Sequence, residues 1–257
     1  MIGERIRHDL HRRRGSVTEV VDLSERIRRV WIALEPGAAP VPHVPLAVGD
    51  HVKLVFPHPQ TGELDLEHRE RMVLRDYTIR AVPDERSVVI DLVVHGSGPG
   101  STWARDAEIG STIGILGPRG SHVMPADRAR YLVLADESAH PAAARWLEEA
   151  PAGAELHLVL ETEDALTAEL APRKDSAGSA DTTVTLVAGS DGTGLVRELI
   201  ALDPQPGDLV WAAGEAGAMV TVREAARALG VAKDDLEVDG YWKRGIAGRD
   251  HHAPLDE

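Results

Sequence analysis

The chain contains no cysteine. That excludes disulfides, cysteine-ligated iron–sulfur clusters and thiolate redox relays, so any electron transfer must use a bound cofactor. It has no run of 18 apolar residues, so no segment reads as a membrane-spanning helix. The arginines near the start (Arg5, Arg7, Arg12, Arg13, Arg14) lead into no apolar stretch of the signal-peptide kind. A cytoplasmic location is therefore expected. No internal repeat is visible. His43, His51, His58 and His68 are scattered and His251-His252 lie in a polar tail, with no helical i, i+4 pair beside carboxylates. A metal held by the protein's own side chains is not expected.

What the chain does have is enough material for two domains, with 257 residues of which 43% are apolar and 27% charged. Its net charge of −14 is unevenly spread. Residues 1–120 carry 16 Lys/Arg against 17 Asp/Glu, and residues 121–257 carry 12 against 25. A field of that sign repels nucleic acid. It also makes any local group of cations a candidate for binding an anion. Composition does not decide the oligomeric state.

The rhythm of the pattern changes part-way. Val17–Leu23, Arg28–Leu34, His51–Phe56, Val73–Ala81, Ser87–His95 and Thr112–Leu116 read as strands, broken by Pro- and Gly-rich turns. Six strands with one short helix predict a closed antiparallel barrel over residues 1–126. Beyond it, strands at Tyr131–Ala135, Glu155–Leu160, Thr183–Ala188 and Leu209–Ala213 alternate with helices at Ala139–Glu149, Leu195–Ala201 and Ala216–Leu229. That alternation predicts a parallel α/β domain over residues 127–257, with Pro172–Asp181 as a surface loop.

The chemistry concentrates between Arg75 and Trp103. Arg75-Asp76-Tyr77-Thr78 places a cation, an aromatic ring and a hydroxyl on one strand, with Arg75 and Tyr77 on the same face and Thr78 on the other. A strand's length later comes His95-Gly96-Ser97-Gly98-Pro99-Gly100-Ser101-Thr102, a loop opening a helix whose first amides are free to receive a phosphate. A ligand with a flat ring, a ribityl chain and a diphosphate would use all of these groups, which points to a flavin dinucleotide.

Four motifs in order, "RDYTIR", "HGSGPGSTWA", "GPRGS" and "GYWKRG", resemble the siderophore-interacting protein family of flavin-dependent ferric-siderophore reductases, within the ferredoxin-reductase-like superfamily. The resemblance runs from about Val17 to Gly245. It implies a Greek-key-type FAD barrel followed by a nicotinamide-nucleotide domain. In that scheme Tyr77 packs on the flavin, Thr78 hydrogen-bonds near its reactive nitrogen, Arg75 pairs with the diphosphate, Val93 and His95 flank the ring, and Gly98, Gly100, Ser101 and Thr102 cradle phosphate.

The resemblance also implies nucleotide contacts at Asp136-Glu137-Ser138, in a turn where Ala135 and His140 depart from the family's glycine and apolar residue, and at Gly214-Glu215. Lys53, Arg119 and Arg244, with Lys243 beside it, match the cations thought to gather around an anionic ferric complex. The implied activity passes electrons from NADH or NADPH through FAD to siderophore-bound Fe(III). The acidic turn Glu161-Thr162-Glu163-Asp164, with Arg173 and Lys174 as the nearest cations, favours NADH, because a carboxylate accepts from ribose hydroxyls and repels a 2′-phosphate. A general NAD(P)H–flavin oxidoreductase and a non-catalytic flavin or siderophore carrier remain as alternatives at this stage.

Overall fold

The computed structural model describes residues 2–162, 180–248 and 254–255. They form two compact units: Arg5–Val123, and Met124–Glu257 joined by Met1–Glu4.

The first unit holds β1 (Glu4–Arg7), β2 (Arg12–Asp22), β3 (Ile27–Leu34), β4 (His51–Phe56), β5 (Val73–Asp84), β6 (Ser87–Val93), helix α1 (Pro99–Asp106), β7 (Thr112–Leu116) and β8 (Gly120–Val123). Six of the strands close into a barrel in the order β2-β3-β6-β5-β4-β7, with antiparallel neighbours throughout. Val30, Ile32, Leu54, Ile79, Ile90, Leu92, Ile113 and Ile115 fill its core and are essentially inaccessible to solvent. Closure leaves no open sheet edge.

Two of the boundaries that move from expectation do so for identifiable reasons. β2 begins at Arg12, not Val17, because the run Arg12-Arg13-Arg14 is strand rather than a solvated charge cluster. Arg13 is buried, and its guanidinium donates to the carbonyls of Ala39 (2.5 Å), Pro40 (2.6 Å) and Gly117 (2.5 Å). Burial lowers its pKa. β6 stops at Val93, not His95: the Ser101 hydroxyl accepts the His95 amide at 3.1 Å, and Gly96 turns the chain at φ +56°. Asp91, in the middle of that buried strand, is matched by Arg29 through two bonds of 2.6 and 2.7 Å. β1 and β8, short and polar, pair with each other and were not anticipated.

The second unit is a five-stranded parallel sheet in the order β11-β10-β9-β12-β13. Its elements are β9 (Arg130–Asp136), α2 (His140–Glu149), β10 (Glu155–Glu161), β11 (Asp181–Val187), α3 (Thr193–Leu202), β12 (Leu209–Glu215), α4 (Ala216–Ala228) and β13 (Leu236–Trp242). On one face Leu132, Leu134 and Val210 pack against Leu195 and Leu199 of α3 and Met219 and Val222 of α4. On the other, Tyr131, Trp146 of α2 and Trp211 form an aromatic cluster of tilted and edge-on rings with centroids 5.3 and 6.3 Å apart. β13 was not anticipated, because Glu237 and Asp239 interrupt its apolar pattern and it lies at the sheet's edge. Of the expected loop Pro172–Asp181, residues 172–179 lie outside the described residues. Among the described residues, no helix is long and apolar enough to cross a membrane.

Candidate flavin and nucleotide sites

β4 and β5 set the geometry of the barrel site. Across this antiparallel pair Val52 faces Tyr77 and Leu54 faces Arg75, while His51 faces Thr78 and Lys53 faces Asp76. Directly opposed residues share a face. Arg75 and Tyr77 therefore turn toward the core side, and Thr78, Asp76 and Lys53 toward the other. Tyr77 meets Phe56 edge-on at 6.0 Å, and Phe56 in turn meets Trp103 of α1 at 5.7 Å. Burial pushes the Tyr77 phenol up to about 12, against the opposing charge of Arg75, so it stays neutral at physiological pH.

The two segments that the sequence separates meet here. A Cβ at Gly100 would collide with the Tyr77 hydroxyl, so glycine allows α1 to start directly against the strand that carries the cation, ring and hydroxyl. Gly98 is the N-cap of α1, no side chain caps the helix, and Pro99 at its first position has no amide to donate. The first-turn amides of Gly100 and Ser101 are left for a ligand. Ser101 spends its hydroxyl on His95 and on the Val93 carbonyl (3.4 Å), and Thr102 Oγ1 lies 3.4 Å from the Ser97 carbonyl. His95 is exposed and Val93 half-buried. Arg75 donates to the carbonyl of Leu74 at 2.6 Å. An uncapped helix start, a guanidinium, a half-buried phenol ring and a hydroxyl fit the diphosphate and ring of FAD.

In the sheet unit, Asp136 ties three strands together. Its Oδ1 accepts the Ser138 amide (2.8 Å) and hydroxyl (2.5 Å), and its Oδ2 accepts the Glu215 amide (2.8 Å) and the Trp242 indole N–H (2.9 Å). Burial raises its pKa, opposed by these donors. Gly214 is required beside it, since a Cβ there would run into the carboxyl group. Glu137 accepts from the buried Thr162 hydroxyl at 2.9 Å. Glu215 caps α4 through Ala218 (2.9 Å) and accepts the Arg244 amide (3.0 Å). Burial pushes the Glu215 carboxyl up, but the amides of Arg244, Ala218 and Gly217 outweigh it and hold it below the usual range. These carboxylates thus organise the carboxyl ends of the strands, and Trp242 is anchored through its N–H.

A cleft of about 610 Å³ opens at those strand ends, bounded by residues 188–191, Glu215, Gly217, Ala218 and Arg244. Open α/β sheets bind ligands there. Arg244 is exposed, donates to the Ser190 carbonyl at 3.0 Å and stacks 6.0 Å from the Trp242 ring centre. The loop Gly189-Ser190-Asp191-Gly192-Thr193-Gly194 was missed in the sequence, although a glycine-rich turn between a strand and a helix was the available signal. Glu161 lies beneath it, 2% exposed, with Oε2 accepting the Gly192 amide at 2.9 Å. That carboxylate, expected to meet a ribose, is instead used inside the fold. Glu163, Asp164, Arg173 and Lys174 lie outside the described residues.

Burial raises the Glu161 pKa; the Gly192 amide opposes this and the Asp191 charge adds to it. For a carboxyl whose folded pKa is raised, the folded state favours the protonated form. Its contribution is fully present below the ordinary glutamate value of about 4.3 and is lost as pH rises through the folded value. Glu161→Gln keeps an acceptor for Gly192 without the charge. It is expected to raise the thermal midpoint at pH 8 by a few degrees and to have little effect at pH 4. A variant whose midpoint tracks the parent at both pH values would rule this out.

The cations expected from the sequence to meet an anionic complex divide between the units. In the barrel, Lys53 pairs in register with Leu116 of β7, and Arg119, exposed, follows three residues later in the turn that Arg13 holds. Lys243 is half-buried and Arg244 exposed, at the end of β13. Among the described residues no group of three or more His, Asp or Glu side chains is placed to hold a metal ion.

Residues 16–122 match the siderophore-interacting FAD-binding domain, and residues 128–245 match the siderophore-interacting protein family. The chain belongs to the siderophore-interacting protein family. A ferric vibriobactin reductase of Vibrio cholerae is 30% identical to this siderophore-interacting protein over 233 residues, covering 81% of it and 83% of the relative. An NADPH-dependent ferric-chelate reductase of Escherichia coli is 32% identical over 154 residues, 56% of this chain and 59% of that one. The crystal structure of a siderophore utilization protein from T. fusca superimposes with a TM-score of 0.79 at 35% identity, covering 97% of this chain and all of that one. A ferredoxin reductase of carbazole 1,9a-dioxygenase, at 14% identity and a TM-score of 0.67, shares the fold.

Proposed function

We propose that this protein is an FAD-dependent ferric-siderophore reductase that draws electrons from a nicotinamide nucleotide in the cytoplasm. The observation that carries the reading is the meeting of Arg75-Asp76-Tyr77-Thr78 with the uncapped start of α1 at Gly100. Bound FAD would supply the conversion from two-electron hydride chemistry to one-electron reduction of iron. The protein's own part is binding and orientation. Arg75 and the first-turn amides hold the diphosphate, Tyr77 packs on the ring, and Thr78 offers its hydroxyl to the ring edge. Lys53 and Arg119 are the cations the barrel offers to an anionic complex, and Arg244, with Lys243 beside it, those the sheet unit offers. Hard oxygen donors hold Fe(III) far better than Fe(II), so reduction loosens the metal and no side chain needs to act as nucleophile or acid.

The cleft at the sheet's carboxyl ends is the nucleotide site in this reading. Among the described residues, Asp191 and Glu215 face it with the guanidinium of Arg244, a balance that disfavours a 2′-phosphate and favours NADH. The test is anaerobic stopped-flow reduction of the holoprotein by each nucleotide, followed by reoxidation with a panel of ferric chelates. Faster flavin bleaching by NADH and reoxidation by ferric siderophores are expected. Faster bleaching by NADPH would refute the donor preference, and a flavin that no ferric chelate reoxidises would refute the reductase.

A further inference from the structure

Lys53 is not a bare cation. Its ammonium lies 2.7 and 2.8 Å from the two carboxylate oxygens of Asp76, the residue directly across β4–β5. Both side chains are partly open to solvent, at 29% and 22% exposure. The pair shares its face with Thr78, two residues along β5 from Asp76, and alternate residues on a strand stand about 6.6–6.8 Å apart. The face that carries the Thr78 hydroxyl therefore also presents a lysine whose charge is already matched. An anion approaching Lys53 must either displace the Asp76 carboxylate or accept its repulsion.

We infer that Asp76 is a specificity-determining residue that sets how much negative charge a ferric chelate must bring to engage Lys53. This rests on the proposed role of Lys53 in binding the ferric complex. The pair is a device of discrimination rather than of affinity. A built-in repulsive group lowers binding of anionic complexes and leaves uncharged ones untouched. Because both partners are solvent-accessible, the pair can open without stranding a buried charge, and its effect is screened by salt. Asp76 also keeps Lys53 in one position, so a sufficiently anionic complex finds the ammonium already placed.

The test measures binding rather than turnover, using redox-inert Ga(III) complexes and the intrinsic fluorescence of the FAD-loaded protein. One probe is a trianionic triscatecholate and the other an uncharged trishydroxamate. Asp76→Asn is expected to tighten the triscatecholate by about five- to tenfold at low salt, with the gain shrinking toward unity at 1 M salt. The trishydroxamate should change by less than twofold. Asp76→Glu, which keeps the charge, should retain the parent's selectivity. In the Lys53→Gln background the Asp76→Asn gain should be smaller, since part of it comes from freeing the ammonium. If Lys53→Gln alone weakens the triscatecholate but Asp76→Asn leaves selectivity unchanged, the inference fails and the role of Lys53 stands. If Lys53→Gln leaves triscatecholate binding unchanged, the role of Lys53 falls, and the inference falls with it.

Discussion

Replacing Arg75 by alanine is expected to strip most of the FAD from the purified protein. A guanidinium–phosphate contact is charge-assisted and bidentate, and losing a hydrogen bond to a charged group costs about 1.5–3 kcal/mol. That corresponds to a loss of affinity of one to two orders of magnitude. Arg75 shares its strand face with Tyr77 and donates to its own neighbour's carbonyl, so the barrel should stay folded without it. Equilibrium dialysis against FAD, with far-ultraviolet circular dichroism as the control for folding, measures the effect. Full flavin occupancy at sub-micromolar FAD would remove Arg75 from the diphosphate site.

The largest effect on stability is expected at Asp136. Alanine there abandons the Ser138 amide and hydroxyl, the Glu215 amide and the Trp242 indole at once. Each stranded donor is worth about 1–3 kcal/mol when buried, with rehydration offsetting part of it. A total of about 3 kcal/mol or more is expected, lowering the melting temperature of the sheet unit by roughly 10 °C. Burial of the charge works the other way, since it already raises the carboxyl's pKa. Asp136→Asn separates the two contributions. It nearly preserves volume and removes the charge, but turns an N–H toward donors, so it should destabilise almost as much as alanine. An asparagine variant as stable as the parent would mean that shape, not acceptance, holds the three strand ends together.

Much of this was legible in the sequence where pattern and burial agree. The run Val88–Val94 reads as a buried strand, and all of it but Val94 lies in one; the alternation of strands and helices after residue 127 gives the parallel sheet. The approach of the Tyr77 strand to the glycine loop was also legible, because that loop follows the cation, ring and hydroxyl after one strand's length, and Gly100 does abut Tyr77. What escaped was decided by tertiary partners. Arg12-Arg13-Arg14 looks like solvated charge until three carbonyls claim Arg13. Leu236–Trp242 looks too acidic for a strand until it takes an edge position beside β12. The roles of Asp136, Glu161 and Glu215 could not be read either. A carboxylate in a turn has the same sequence signature whether it meets a ribose or a backbone amide of its own chain.

The three carbonyls on Arg13 also bear on how this protein tolerates change. They come from Ala39, Pro40 and Gly117, and a carbonyl is present whatever side chain stands above it. The loop around residue 39 and the turn leading to Arg119 are thus latched to the barrel wall without depending on their own side-chain identities. Substitutions can accumulate in both while the latch holds, provided that position 13 keeps its fork of donors. Variation in both can therefore occur with little risk to the barrel, and position 13 is where drift should be least tolerated.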